Sequence, residues 1–441
     1  MQRKPLTLII VIAVLAASCG VSDSSVEPST TAPPVTSSTA APTTSTTVPP
    51  TTTTEAPTDT GSSFTLTWFR VLDDGAALAG NGSQMMVSVT VGGPGLVAVG
   101  SDFSGGDVDA AVWTSPDGIT WSRVPHNEAV FGGEGDQEMV SVNVGGPGLV
   151  AVGWEGSLFD QDAAVWISPD GIAWSRVPHN EELFGGWSDQ EMVSVTAAGS
   201  GLVAVGPDLS DFEAGVWISP DGVTWSRPPA DTTAFGGEHI QSMMSVTAGG
   251  PGLVAVGWEA TWGDIDATAW TSVDGISWSR VPTLGAAFTG EGVQSMSSVT
   301  AGGPGLVAVG LDSSRSGEDA AVWTSTDGII WSRVPDVAAF LGGPGNQGMV
   351  SVAARDDGLV AVGHDGRGGD FDAAVWASPD GITWARVAHD EATLGGEGDQ
   401  VMSSVAVAGL GMVAVGREVS DGNSTAAVWI ATPVPRIGSD G

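Results

Sequence analysis

Tryptophan recurs in this 441-residue chain with an almost fixed period. One series runs Trp113, Trp166, Trp217, Trp270, Trp323, Trp376 and Trp429, in steps of 53 residues with one step of 51. A second runs Trp68, Trp121, Trp174, Trp225, Trp278, Trp331 and Trp384, with the same two step lengths. Together they take fourteen of the eighteen Trp residues. A period of about 50 residues marks a repeat architecture, in which each unit buries its apolar face against its neighbours. Residues that recur seven times hold such a scaffold together, so chemistry belongs where the repeats differ.

One unit reads Q-E-M-V-S-V-N-V-G-G-P-G-L-V-A-V-G (137–153), a loop, then D-A-A-V-W-I-S-P-D-G-I-A-W-S-R-V-P (162–178). Its four runs of Val, Ala, Ile, Trp and Thr are bounded by Gly, Pro and Asp, which predicts four short strands, A to D. Pro-Gly and Asp-Gly supply the turns. Four strands per unit and seven units predict an all-β fold, a seven-bladed β-propeller of four-stranded antiparallel blades. A β-solenoid is the rival, although solenoid coils are shorter and lack two long loops per unit. Counting from Gln84 gives seven copies of strands A to C but six internal copies of D. The seventh D is F-T-L-T-W-F-R-V, Phe64 to Val71, which matches G-I-T-W-S-R-V and is expected to complete the last blade beside Ala426–Ala431. Such closure removes an open sheet edge.

The predicted C–D turns read S-P-D-G-I-T-W and close variants. They comprise Ser115, Asp117, Gly118 and Trp121; Ser168, Asp170, Gly171 and Trp174; and Ser219, Asp221, Gly222 and Trp225. The later three comprise Ser272, Asp274, Gly275 and Trp278; Ser325, Asp327, Gly328 and Trp331; and Ser378, Asp380, Gly381 and Trp384. This pattern resembles the Asp-box, or BNR, repeat of sialidase-like propellers over roughly residues 64–432. It differs in having no residue between Asp and Gly. The resemblance implies a structural role: Ser and Asp side chains accept backbone N–H bonds, Gly takes a positive φ, and Trp packs into the blade. Kelch repeats have a similar period but want a Gly pair after strand B and a Tyr.

The first residues, Met-Gln-Arg-Lys-Pro followed by the apolar run Leu6–Ala17, describe a secretory signal, too short for a stable membrane span. L-A-A-S-C (15–19) resembles a bacterial lipobox. It implies a signal over 1–18, lipid attachment at Cys19, the chain's one cysteine, and a place on the outer face of a bacterial membrane; plain secretion is the alternative. Residues 19–63, rich in Thr, Ser and Pro, read as a disordered stalk. The propeller is expected over 64–432 and a flexible tail over 433–441. After cleavage the chain keeps 12 Arg, no Lys and 51 acidic residues, hence 12 − 51 = −39. That charge argues against nucleic acid and anionic membrane surfaces as partners, leaving only a lipid anchor for membrane contact. A monomer is expected.

Strands alternate in direction, so the uniform A–B and C–D turns share one face. The long, varied, acidic B–C and D–A loops share the other, which is the expected binding face. Three features fall there. Carboxylate pairs precede strand C, as in Asp107/Asp109, Asp160/Asp162 and Asp211/Glu213. Residues i and i+2 share one side of a strand, so Asp107, Asp109, Asp160 and Asp162 are weak Ca²⁺ candidates, although two carboxylates do not fill a calcium shell. Otherwise no metal or cofactor is expected. Trp154, Trp187, Trp258 and Trp262 stand outside the period and are expected on loops, where they can stack on sugars or anchor a protein. Arg315, Arg367 and Arg417 fall in successive B–C segments and can hold a carboxylate or sulfate.

Sialidases use a Tyr nucleophile, and this chain has no Tyr. No carboxylate stands out by context, and no zinc spacing, nucleophile elbow or phosphate loop is present, so no catalytic residue is assigned. The sequence therefore favours a surface-tethered, non-enzymatic propeller that recognises a glycan or protein. The alternatives are a degenerate glycoside hydrolase or lyase, for which two carboxylates would suffice, and an envelope assembly scaffold.

Overall fold

A computed structural model describes residues 66–433, apart from 73–76, 81, 158–159, 200, 211, 230, 232, 237–238, 262, 283–286, 316, 336–339, 410 and 421. The expected signal, Cys19, the stalk, the tail beyond 433, Phe64, Asp211 and Trp262 lie outside the described residues. The protein is an all-β propeller of antiparallel sheets. In the second unit strand A is Asp136–Gly145, B Gly148–Ser157, C Asp160–Ser168 and D Ser175–Arg176. Strand D is shorter than the sequence predicts, because the Ser-x-Asp-Gly turn takes the residues before its Trp. Among the described residues two four-residue helices, Glu128–Phe131 and Glu181–Phe184, interrupt the D–A loops and are capped by the side chains of Asn127 and Asn180.

The Gln-x-Met-x-Ser-Val motif lies on strand A. In the second unit a bulge between Met139 and Ser141 turns the serine toward the neighbouring unit. The hydroxyl of Ser88 accepts from the N–H of Val142, and Ser141 from Val195. Ser194 serves Val246, Ser245 serves Val299, Ser298 serves Val352 and Ser351 serves Val405. Ser404 accepts from Val89 at 3.3 Å, which returns the series to its start. Strand A is therefore innermost, and its seven copies are linked in a cycle. Strand Leu66–Arg70 pairs antiparallel with Asn423–Pro433, with Trp68 opposite Ala431.

The core lies between adjacent sheets. Val97, Val99 and Val112 of the first unit pack with Met139, Leu149 and Trp166 of the second. Leu96 and Trp113 of the first pack with Val413 and Val428 of the last. The strand C tryptophans are wholly buried, and each indole N–H donates to a carbonyl in the preceding D–A loop, as Trp166 does to Val130 at 2.7 Å. Opposite each bulge strand B carries the glycine of V-A-V-G. A Cβ on Gly310 would overlap the carbonyl oxygen of Ser295, backbone that cannot swing aside. Gly310→Ala is therefore expected to cost about 2 kcal/mol or more in urea unfolding.

Each of the six Ser-x-Asp-Gly turns closes on itself. Ser115 Oγ accepts from Gly118 N–H at 2.8 Å, Asp117 Oδ1 accepts from Ile119 and Thr120, and Trp121 Nε1 donates to Gly118 O. The Thr120 and Ile119 amides hold the exposed Asp117 carboxyl below its ordinary pKa. Trp68 is different. Its indole N–H is buried with no partner among the described residues, because no described turn precedes it.

Candidate functional site

The strand D arginines hold the blades rather than a ligand. Arg123 lies 4.6 Å over the Trp113 ring and pairs with Asp102 at 2.9 Å. Arg227 lies over Trp217 and pairs with Asp208 at 2.7 Å. Arg176, Arg280, Arg386 and Arg70 pair likewise with Glu155, Glu259, Asp365 and Glu418. These strand B carboxylates recur with the period of the tryptophans, a third series that reading the loops alone overlooks. The seven buried glutamines, Gln84 onward, turn into the blades. Gln84 donates to Asp102 and Gln400 to the Gly398 carbonyl.

The residue after that Gln faces the other way, and so does the residue after the V-A-V-G glycine; the two stand opposite each other across strands A and B. The pairs are Met85/Ser101, Glu138/Trp154, Ser242/Trp258, Ser295/Leu311, Gly348/His364 and Val401/Arg417. In the third unit Glu191 N donates to Pro207 O. Successive units touch here: Ser101 Oγ donates to Glu138 at 3.5 Å, Pro207 pairs with Ser242, and Arg417 Nη1 lies 3.1 Å from Met85 Sδ. The innermost strands thus link Glu191 to Glu138, and Arg417 to both Glu138 and His364, by charge, at the end of the strands that carries the B–C and D–A loops.

Burial pushes the Glu191 carboxyl up to about 8, with Asp189 and Glu138 adding to the effect. Burial likewise raises Glu138 to about 7, against the opposing pull of Ser101 and Arg417. His364 is brought down to about 4 by burial, and the Arg417 charge adds to this while Asp365 and Asp399 oppose it. At neutral pH this centre can present an uncharged carboxylic acid, a second carboxyl near its midpoint, a neutral imidazole and a guanidinium.

Several predicted site residues stand elsewhere than on loops. Trp258 is 4% exposed on strand B, and Trp154 is half-buried at the same place in its own unit, because the column after the glycine points to the axis. Trp187 is 72% exposed in a D–A loop, as expected of a loop Trp. Arg417 is a buried strand B residue, not a loop cation. Arg367 Nη2 donates to Gly342 O at 2.5 Å, and its Nε lies 3.5 Å from Asp365. Arg315 ends strand Gly305–Arg315, paired with Gly317.

The carboxylates before strand C are also sorted differently. Asp109 groups with His126 and Glu128, and Asp162 with His179 and Glu181, while Asp107 and Asp160 remain close enough to act on their partners' carboxyls. Burial raises the carboxyls of Asp109 and Asp162; His126 and His179 lower them, and neighbouring acids raise them further. Glu138, Glu191 and His364 were not singled out from sequence. Their signal is a variable column inside an otherwise constant strand: Met, Glu, Glu, Ser, Ser, Gly and Val follow the seven glutamines.

A family model described as DUF6242 beta propeller domain matches residues 149–341. No curated protein sequence matches the chain. Among solved structures, the chain is similar to Penicillium chrysogenum alpha-L-arabinanase complexed with arabinobiose, at 13% identity, 82% of this chain, 97% of that chain and TM-score 0.46. It is similar to the polysaccharide lyase Uly1 at 12% identity, 81% and 91% coverage and TM-score 0.44. It is also similar to Trypanosoma rangeli sialidase in complex with sialic acid, at 12% identity and TM-score 0.39; 79% of this chain spans 54% of the sialidase.

Proposed function

We propose that this chain is a seven-bladed binding propeller that takes a glycan at the axial end of its B–C and D–A loop face. It is tethered to the outer side of a bacterial membrane through lipidated Cys19 and the stalk 19–63. One observation carries the reading: chemistry is concentrated where the innermost strands depart from their repeat, at Glu138, Glu191, His364 and Arg417, next to Trp154. A sugar offers hydroxyls to the acids and imidazole and an apolar ring face to an indole. Trp187, exposed on a loop of the same face, extends the platform. The seven-membered serine cycle and the pairing of strand 66–70 support the blade count and the closure.

A glycan array probed with the whole chain tests this. Retention of a glycan that weakens about tenfold or more in Trp154→Ala and in Glu191→Gln is expected, a loss of the size that buried anchors carry. No retained glycan, or retention unchanged in both variants, refutes it; a stoichiometric protein partner in an envelope pull-down points to the scaffold role instead. A second reading, a glycoside hydrolase or lyase, is favoured by one feature, the raised Glu138 and Glu191 carboxyls. An acid that stays protonated at neutral pH can protonate a leaving oxygen. Turnover in a glycoside screen, lost in Glu191→Gln, would establish that reading.

A further inference from the structure

Away from the axis, one histidine stands with two carboxylates at three places on the loop face, and in the first and second units the three ligand atoms lie within 4.8 Å of one another. In the second unit His179 Nε2 lies 3.8 Å from Asp162 Oδ2 and 3.3 Å from Glu181 Oε2. Its Nδ1 lies 3.2 Å from Glu155 Oε1, and Glu155 is itself fixed by Arg176. A carboxylate on Nδ1 selects the tautomer that carries its proton there. In that tautomer the Nε2 lone pair is turned to the two carboxylates. In the sixth unit His389 Nε2 repeats this, 3.9 Å from Asp372 and 3.2 Å from Glu391. In the first unit the two acids face different ring nitrogens: Asp109 Oδ2 lies 3.9 Å from His126 Nδ1 and Glu128 Oε2 lies 3.1 Å from its Nε2.

The repeat makes an internal comparison possible. The His and the Glu two residues later occur together in these three units and are absent together from the other four, which carry Asp73/Gly75, Ala230/Thr232, Thr283/Gly285 and Asp336/Ala338. The strand C acid does not follow them: Asp266 and Asp319 persist where His and Glu are gone. There Asp319 accepts from the Gly343 N–H, a backbone role. The strand C position is Glu213 in the third unit and Thr425 in the last, so the acid varies separately from the His–Glu pair, which is kept or lost as a unit. His179 and Glu181 are also well exposed, so no packing demands them.

We propose that the Asp–His–Glu triads are zinc-class divalent metal sites, each offering one imidazole nitrogen and two carboxylate oxygens and leaving a fourth position to water. Nitrogen with oxygen donors in a four-coordinate set suits Zn²⁺, whereas Ca²⁺ wants six to eight oxygens. This assignment is independent of the axial glycan reading. The alternative is an imidazolium ion-paired with its acids, which binds no metal.

Titrating the whole chain with Zn²⁺, and with Co²⁺ for its visible absorption, separates the two. About one equivalent per triad is expected, with cobalt bands of a low-coordinate N/O site. His126→Ala, His179→Ala and His389→Ala should each remove one equivalent and the triple variant all of them, with little change in thermal midpoint in the absence of metal. His239→Ala, outside the triads, should change nothing. Absence of zinc binding in the parent, equal zinc uptake by the triple variant, or displacement of zinc by equimolar Ca²⁺ would each overturn the assignment.

Discussion

Removal of residues 66–70 is expected to unfold the propeller rather than fray one edge of it. Five residues pair with Asn423–Pro433, and Trp68 is buried in the cluster that holds Met402, Met412 and Trp429. Arg70 pairs with Glu418 and lies over the Trp429 ring at 6.0 Å. Losing a buried Trp alone costs about 3–5 kcal/mol. Exposing the carbonyl edge of the C-terminal strand and stranding Glu418 beside an empty groove adds to that. The sum approaches the 5–15 kcal/mol or so of net stability that a domain ordinarily has. Because each sheet packs on the next, the damage reaches both neighbours of the last sheet. Thermal unfolding followed by Trp fluorescence would test this: the deletion should abolish the cooperative transition, and Trp68→Ala should lower its midpoint by several degrees. A deletion variant that melts within a degree or two of the parent would mean that the N-terminal strand is dispensable.

The fold was legible because packing imposed the same residues seven times. Trp113 and its counterparts must be indoles to fill the space between sheets and reach a carbonyl in the preceding loop, so their period survives in the sequence. The match of Trp68-x-Arg70 to the other strand D segments was legible for the same reason. The axial centre was not. Trp154, Trp258 and Arg417 are visibly irregular, but irregularity alone does not say whether a residue stands on a loop or on a strand that faces the axis. Glu138 and Glu191 were hidden by a different effect. Each sits between an invariant Gln and an invariant Met, and attention to the constant motif treats the position between them as noise. Alternation along strand A was the missing step: Gln and Met point into the blade, so the residue between them must point to the centre. The shortness of strand D and the loop helices depended on local turn hydrogen bonds, which repeat spacing does not reveal.

The axial carboxyls, Glu191 buried and Glu138 partly so, should make the protein lose stability as the pH rises. Glu138 and Glu191 carry ordinary values of 4.5 when unfolded and about 7 and about 8 when folded. A carboxyl whose folded value is raised contributes its full stability below pH 4.5, where both states are protonated. Above that the unfolded chain gives up its proton first. The contribution therefore declines through pH 5 and 6 and is exhausted once the pH has passed about 8. At about 1.4 kcal/mol per unit of pKa, the two groups together represent on the order of several kcal/mol. Glu138→Gln/Glu191→Gln keeps the shape of the protonated acids and cannot ionise. It should melt close to the parent at pH 4 and several degrees above it at pH 9, with the gap opening between pH 5 and 8. Equal pH dependence in parent and variant would mean that these carboxyls are solvated in the native state, and the axial centre would then lose its distinctive chemistry. If the gap does open, the same pair gives the propeller one carboxyl, Glu191, that stays protonated at neutral pH and a second, Glu138, near its midpoint within reach of the Arg417 charge. A centre of that kind binds an anionic saccharide more weakly as the acids ionise, so glycan affinity and fold stability should fall together over the same pH range.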